Sequence, residues 1–366
     1  MKYWRGYLVA AIIAACSWGL SAFAKAHSQL VDMVYPYVTR MIQNYLAQWS
    51  AGVSFCVWQV LLLVLIVLGL ASVVLMILFK WNPIQWAGWV LAVVCTISFV
   101  STGIYGLNEH SGTLVTDLRL ENAEYKYTVS ELEAATIFYR DKANELAGQV
   151  TRDENGDVVY PEFAQLNELA AGGFKTLTYE QYHAVFAGST LPVKELDWSR
   201  RYTAKGVTGV FVPLTGEAAV NPKTPTVIMP YAICREMARR MCIASDRDAN
   251  FAAYLACDAN SSVEFRYAAY LMAYRYCYAA LEEAADTVQQ FSLEKLQSGQ
   301  NANLQHDLDV CSKFFGRKEK LDESVCDLLV IWHIEEYVLP LQQEEEVAPF
   351  DPLDESQVDL TGLVGA

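Results

Sequence analysis

The chain has 366 residues, 53% of them hydrophobic, and a formal net charge of −15 at pH 7. That length is enough for a membrane anchor together with one or two globular domains. Proteins gain most of their affinity for nucleic acid from lysine and arginine side chains that neutralise phosphates, so the acidic balance excludes nucleic acid as an expected partner.

Charge is distributed unevenly along the chain. Residues 1–107 hold five basic side chains and one acidic side chain, which leaves −19 of the total for residues 108–366. Three stretches carry no formal charge, namely 6–24, 41–79 and 81–108. Because a helix crosses a bilayer with about 20 predominantly apolar residues, we predict that residues 1–107 form a membrane anchor and that the lipid bilayer is a partner. The anchor would contain two or three transmembrane helices, at about 7–24, 53–79 and 86–107.

The first apolar segment has two interpretations. A basic start with Lys2 and Arg5, an apolar run and Ala22-Phe23-Ala24 before Lys25 also describe a cleavable signal peptide. We favour a retained helix. Both interpretations place Lys2, Arg5 and Lys80 on the cytoplasmic side, so the C-terminal part is predicted to lie outside the cytoplasm.

Residues 108–343 are predicted to form one extracytoplasmic, mostly helical domain with a small sheet. A helix is expected to begin at Ser130, whose spacing to Glu133 is that of a capping box, and another is expected to stop at Gly172-Gly173. Val207–Leu214 is rich in β-branched and aromatic residues, which favours a strand, with a turn and an extended segment after it up to Asn221.

Helical periodicity resumes at Pro230, and the predicted helices are at about 231–242, 246–258, 263–290, 303–315 and 322–339. The last segment, 344–366, has seven acidic residues and no basic one, which predicts a disordered tail.

The nine cysteines form no C-x-x-C pair, and most lie in apolar helical patterns. An extracytoplasmic location permits disulfides, but buried thiols are the more common outcome of such patterns. His183, His306 and His333 are isolated in sequence, which favours packing or surface roles over metal binding.

One helical segment has the order of a known metal site. In H-E-x-x-H, two histidines one turn apart hold Zn²⁺ and the intervening glutamate activates the metal-bound water. Residues 234–239 read Cys-Arg-Glu-Met-Ala-Arg, so arginine stands at both histidine positions. By itself, a Glu-x-x-Arg pair in a helix is far more often a surface ion pair than a site.

Further segments strengthen the comparison. They are Gly106-Leu107-Asn108, the run from Phe211 to Asn221, the run from Asp248 to Cys257, and Phe265-Arg266-Tyr267-Ala268-Ala269-Tyr270-Leu271. In this order they resemble a bacterial family described as domain of unknown function family 3810, whose members look like membrane-anchored HExxH zinc-metallopeptidase-like proteins. The resemblance implies an α+β fold, mostly helical, with N-terminal transmembrane helices and a zincin-like extracytoplasmic domain, integral to the bacterial cytoplasmic membrane.

The resemblance assigns roles to four positions. The first zinc ligand becomes Arg235, the general base remains Glu236, the second ligand becomes Arg239 and the third becomes Asp248. A guanidinium group has no lone pair to offer a cation, so we expect no metal and no cofactor here, and Glu236 is interpreted as a vestigial general base. Two hypotheses describe the arginines: either Glu236 and Asp248 neutralise them, or both face solvent.

The strand region carries a second possible site. HExxH peptidases commonly bind substrate by adding an extended peptide to a sheet edge beside the metal helix, and that mode requires backbone groups but no metal. A possible peptide-binding edge strand would include Val210, Phe211, Val212, Glu217, Val220 and Asn221. The alternative is an ordinary core strand.

Three functional hypotheses follow. The first is a catalytically inactive relative of zinc metallopeptidases that serves as a binding or scaffolding module for a peptide or protein partner. The second is an active membrane metallohydrolase with a rearranged site around Glu236. The third is a structural membrane component whose C-terminal domain serves assembly.

Overall fold

The computed structural model describes residues 2–112, 114–118, 120, 126–160, 162–180, 185–284, 287–316 and 321–340. The predicted tail at 344–366 and His183 lie outside these residues. The described chain is mostly helical and contains one three-stranded sheet, as the sequence predicts.

Four long helices open the chain: α1 (Arg5–Ala26), α2 (Ser28–Ala51), α3 (Val57–Leu78) and α4 (Pro83–Ile104). Three of them, α1, α3 and α4, are long and apolar enough to cross a membrane. These three correspond to the predicted spans. The sequence did not predict α2, which has both apolar and polar faces.

The turn from α3 to α4 is built from residues that stop one helix and start the next. Lys80 has a φ of 51°, which ends α3. The Asn82 side chain then accepts hydrogen bonds from the backbone N–H groups of Ile84, at 3.0 Å, and Gln85, at 3.3 Å. Pro83 follows at the first helical position, where its missing N–H costs nothing.

Helix α1 packs along α4 through glycine. A Cβ atom on Gly6 would lie 2.5 Å from the carbonyl carbon of Gly88, and one on Gly88 would lie 2.8 Å from a ring carbon of Tyr7. At the other end of α1, Ala24 packs with Leu107, just after α4. The two helices therefore run parallel, in a small-residue contact typical of membrane helix pairs.

The described residues within 114–340 are here called the helical domain. Its helices are α5 (Leu114–Leu118), α6 (Val129–Ala147), α7 (Phe163–Glu180), α8 (Arg200–Thr203), α9 (Met229–Arg240), α10 (Asp246–Asp258), α11 (Val263–Ala284), α12 (Thr287–Ser298), α13 (Ala302–Phe315) and α14 (Glu323–His333). The core lies where α9, α10 and α11 meet α6, α7 and α14, and α10 and α11 are buried along most of their length.

Several helix boundaries differ from the sequence-based prediction, and α12 extends to Ser298, eight residues beyond the end of the helix predicted at 263–290. Helix α6 is capped by Thr128, whose backbone N–H donates to the Glu131 carboxylate at 2.6 Å, so the capping box begins two residues before Ser130. Helix α7 continues through Gly172-Gly173. A Cβ atom on Gly173 would overlap the carbonyl oxygen of Ala256, so this glycine permits close approach of α10 and does not end the helix.

The sheet comprises β1 (Lys194–Glu195), β2 (Gly209–Val212) and β3 (Glu217–Val220) in the order β1-β3-β2. Strand β3 pairs in parallel with β1 and antiparallel with β2. The β2–β3 turn has Gly216 at φ +65°, in the left-handed region that favours glycine. Strand β3 is the buried centre of the sheet.

The sheet holds the first turn of α3. Glu217 accepts hydrogen bonds from the backbone N–H groups of Val57 and Trp58, each at 2.8 Å, and Asp197 accepts one from Cys56 at 2.8 Å. The Glu217 side chain is fully buried and pairs with Lys194 Nζ at 2.7 Å. A helix N-terminus favours negative charge, so these groups, here called the α3 cap, fasten an apolar helix to the helical domain.

All nine cysteines are free thiols, and seven of them are buried. His306 contacts Asp157 at 2.9 Å, and His333 lies buried beside Phe138, with its pKa lowered by burial. Both histidines have the packing or surface roles that their isolation predicts.

Candidate functional site

Helix α9 carries the segment that resembles a metal site. It begins with Pro230 in its first turn and packs against β2, β3, α10 and α11, so most of its residues are buried. Arg235, Glu236 and Arg239 lie within this helix, and Asp248 lies in the first turn of α10. The four positions assigned by the resemblance thus belong to two packed helices.

Glu236 is 1% exposed and lies against β2. A Cβ atom on Gly209 would lie 2.7 Å from Glu236 Cγ, so the glycine in the strand makes room for the glutamate. Its Oε1 atom accepts hydrogen bonds from Arg235 Nε, at 3.0 Å, and Arg235 Nη2, at 2.6 Å. Its Oε2 atom is buried and has no hydrogen-bond partner among the described residues.

Arg235 supplies the charge that balances Glu236. Burial opposes its positive charge, but the Glu236 carboxylate and its hydrogen bonds outweigh burial and raise the pKa of Arg235. The side chain is 21% exposed and borders a cavity of about 580 Å³, together with Tyr231, Asn250 and Tyr276. The guanidinium thus occupies one oxygen of the Glu236 carboxylate through two hydrogen bonds.

Arg239 has a different partner from the one hypothesised. Its guanidinium forms an ion pair with Asp246, whose side chain is 71% exposed. Its backbone carbonyl accepts a hydrogen bond from Tyr105 Oη at 2.9 Å. Asp248 instead accepts from Arg247 Nε at 2.8 Å and from the Leu114 N–H at 3.1 Å. The hypothesis that Glu236 and Asp248 neutralise the two arginines is therefore correct for Arg235 and Glu236 and wrong for Arg239 and Asp248.

These side chains do not fit zinc. Neither Arg235 nor Arg239 has an available lone pair, and Asp248 is held by Arg247 on the side of α10 that meets α5. Within the part of the chain that the structure describes, no group of three His, Cys, Asp or Glu side chains is close enough to hold a metal ion.

The sheet edge beside α9 contains fewer of the predicted residues than the sequence suggested. Asn221 N–H donates to Thr208 O at 2.8 Å, so Thr208 and Asn221 form a hydrogen-bonded pair of the antiparallel ladder. Such pairs alternate along the strands, so the backbone N–H and C=O groups of Val210 and Val212 point towards β3. Those of Gly209 and Phe211 point away from it. The outward N–H and C=O groups of Gly209 and Phe211 form no hydrogen bond with described residues. This outer edge of β2 is here called the β2 edge.

Three predicted edge residues are not at an edge. Glu217 and Val220 belong to β3, which is paired on both sides, and Glu217 caps α3. The Asn221 side chain donates to Val207 O at 3.0 Å and holds the connection that precedes β2. Of the predicted set, only Val210, Phe211 and Val212 lie on the edge strand.

Sequence reasoning missed a buried arginine at the end of α9. Arg240 is 2% exposed and donates hydrogen bonds to the carbonyl groups of Ser189, Leu191 and Pro192. Burial lowers its pKa to about 10. It stands next to Arg239 in sequence, and no local signal separates a surface arginine from a buried one at adjacent helical positions.

A family model described as a protein of unknown function (DUF3810) matches residues 31–330. The chain belongs to the DUF3810 family. The match begins within α2 and ends within α14, so it includes α3, α4, the sheet, α9 and α10. No curated protein and no solved structure matches the chain.

Proposed function

We propose that this DUF3810 chain is a membrane-anchored, catalytically inactive relative of zinc metallopeptidases that acts as a binding or scaffolding module at the outer face of the bacterial cytoplasmic membrane. One observation carries the proposal: Arg235, at the first ligand position, binds the Glu236 carboxylate that would act as general base. Apolar helices α1, α3 and α4 support the anchor.

The chemistry of the pair opposes hydrolysis. A general base has to accept a proton from water within hydrogen-bond reach. Glu236 is 1% exposed, and a guanidinium with two N–H groups already occupies its Oε1 atom. Glu236 instead packs against Gly209 of β2 with its Oε1 atom bound to Arg235, and this supports a structural role.

The proposed orientation rests on charge. Lys80 lies in the turn between α3 and α4, and Arg5 begins α1, so both basic residues lie at one end of the three apolar helices. Basic residues concentrate on the cytoplasmic side of membrane proteins. The helical domain follows the opposite end of α4, which supports its placement outside the cytoplasm.

Metal content and stability together test the loss of catalysis. We expect the full chain, purified in detergent without chelator, to contain no stoichiometric zinc by elemental analysis. We also expect Glu236→Gln to lower the free energy of unfolding by about 1–3 kcal/mol, because it leaves the half-buried Arg235 charge without its ionic partner.

Repeating the Glu236→Gln substitution in a chain that already carries Arg235→Met separates a structural role of Glu236 from a catalytic one. In an Arg235→Met chain, the Glu236→Gln change is expected to cost less than in the natural chain, because no cation remains to be stranded. One zinc ion per chain that is lost on Glu236→Gln, with hydrolysis of a peptide substrate lost in parallel, would instead establish the alternative of an active metallohydrolase with a rearranged site around Glu236.

The β2 edge supports the binding part of the proposal, because the outward N–H and C=O groups of Gly209 and Phe211 have no partner among the described residues. Both residues are buried, so an added peptide strand pairs with them only after the edge is uncovered. We expect Val212→Lys, in full chain purified from membranes, to lower recovery of a co-purifying partner by about tenfold, equivalent to ~1.4 kcal/mol of binding free energy. Val159→Lys is the control, since Val159 is exposed at another surface. Equal recovery with both variants would exclude capture at this edge.

A further inference from the structure

Helix α2 exposes an apolar face to its surroundings. Eight large hydrophobic side chains on it are solvent-exposed: Leu30, Met33, Val34, Tyr37, Val38, Met41, Tyr45 and Trp49. At 100° per residue they fall within one arc of about 160°. A contiguous exposed apolar face of this size marks an interaction surface.

That arc carries no charge. The only charged residues of α2 lie outside the arc: Asp32 accepts a hydrogen bond from the Gly112 N–H at 2.9 Å, and Arg40 Nε donates to Met241 O of the helical domain at 3.0 Å. The polar residues that share the exposed arc, Asn44 and Gln48, are neutral.

The connections of α2 to the apolar helices determine its orientation relative to the membrane. His27 alone separates α1 from α2, and five residues separate α2 from α3. Between these ends, Tyr35 Oη donates to the carbonyl groups of Thr102 and Gly103 in the last turn of α4, each at 3.1 Å. A 24-residue helix is about 36 Å long. The ends of α1, α3 and α4 that lie opposite Arg5 and Lys80 are therefore next to the start, the end and the middle of α2, respectively. Because these ends lie on one side of the membrane, α2 lies along the membrane surface.

The opposite face of α2 is fixed to the sheet. Gln43 Nε2 donates to Pro213 O at 3.2 Å and to Ile104 O at 3.3 Å. A Cβ atom on Gly216 would lie 2.6 Å from the backbone nitrogen of Ala47, so the β2–β3 turn rests directly on the helix backbone. Helix α2 therefore lies between the helical domain and whatever covers its exposed arc.

We infer that α2 is an interfacial helix whose exposed apolar arc inserts into the outer leaflet of the lipid bilayer, so that the helical domain sits on the membrane surface in one orientation. The occupant is lipid because α2 is continuous at both ends with apolar spans, and Tyr37, Tyr45 and Trp49 are side chains that favour the membrane interface. With no basic residue on the arc, insertion depends on apolar area and requires no anionic lipid. The inference rests on the membrane anchoring in the proposed function and is independent of the loss of catalysis.

Spin labels on the full chain in phosphatidylcholine vesicles test this inference. Labels replace Tyr37 or Met41 on the arc, Leu65 within α3, or Val159 on the helical domain, all in a Cys16→Ser, Cys95→Ser background because the other seven cysteines are buried. Collision rates with oxygen report lipid contact, and those with a water-soluble nickel chelate report water contact. We expect positions 37 and 41 to favour oxygen at a depth of about 5–10 Å, with position 65 deeper and position 159 favouring the chelate.

Three results would overturn the inference. Chelate access at positions 37 and 41 equal to that at 159, with position 65 still in lipid, would leave the anchor intact and contradict interfacial insertion. Protection from both reagents, with dipolar broadening that disappears in nanodiscs holding one chain, would show that a second copy covers the arc. Chelate access at position 65 would overturn the membrane anchoring itself, and the interfacial placement with it.

Discussion

Replacing Glu217 by alanine is expected to lower the free energy of unfolding by about 3–5 kcal/mol, because the change leaves a largely buried lysine charge unpaired. Lys194 Nζ lies 2.7 Å from Glu217 Oε1, and its other hydrogen bonds go to the carbonyl groups of Ser50 and Phe55. The same carboxylate accepts the N–H groups of Val57 and Trp58. Chemical unfolding of the full chain in detergent measures the loss.

A substitution in the adjacent strand β1 provides the control. Glu195 is exposed and its carboxylate forms no ion pair among the described residues, so Glu195→Ala is expected to change stability by less than about 0.5 kcal/mol. A Lys194→Met, Glu217→Ala chain is expected to be more stable than Glu217→Ala alone, because it removes the stranded charge. Equal losses for Glu195→Ala and Glu217→Ala would show that the α3 cap does not hold the anchor to the helical domain.

Replacing Gly6 by leucine is the second change with a large expected effect. Any side chain at Gly6 meets the backbone of Gly88, which cannot move aside without separating α1 from α4. Overpacking of this kind costs about 1–3 kcal/mol. We expect the variant to unfold at lower temperature in detergent, measured by circular dichroism.

Gly19 provides a matched control on the same helix, since a Cβ atom there would have no neighbour within 4 Å. Gly19→Leu is expected to keep the stability of the natural chain. If α1 were a cleaved signal segment, both variants would yield the same mature protein, and mass spectrometry of the N-terminus would show a start after Ala24. Equal stability of the two variants would therefore contradict retention of α1.

Helix periodicity predicted two of the C-terminal helices closely, because it depends on local spacing, but it did not predict the second half of α12. Predicted helices at 246–258 and 303–315 correspond to α10 (Asp246–Asp258) and α13 (Ala302–Phe315). Helix ends marked by glycine were less predictable. Gly173 is used for close packing against α10 and lies inside α7, and spacing along one chain does not reveal which neighbour will approach it.

The candidate site also combines a feature that the sequence predicts with features that only the packing of distant segments decides. The pairing of Arg235 with Glu236 joins neighbours in sequence, so it could be proposed from the motif. The partner of Arg239 could not, because Asp246 and Asp248 lie about 200° apart around α10, and only the rotation of that helix against α9 selects between them. Likewise, the sequence pattern predicts Glu217 on an edge strand, whereas the sheet order places it in the central strand, facing the start of α3.

The sequence alone determined the apolar spans, the acidic balance and the chemistry at positions 235 and 239, because hydrophobicity, charge and the missing lone pair of a guanidinium are properties of the residues themselves. Tertiary structure decided which acid meets Arg239, that Gly209 makes room for Glu236, and that one face of α2 contacts both the β2–β3 turn and the end of α4. Those outcomes depend on how distant segments pack, and residue spacing within one segment does not predict that packing.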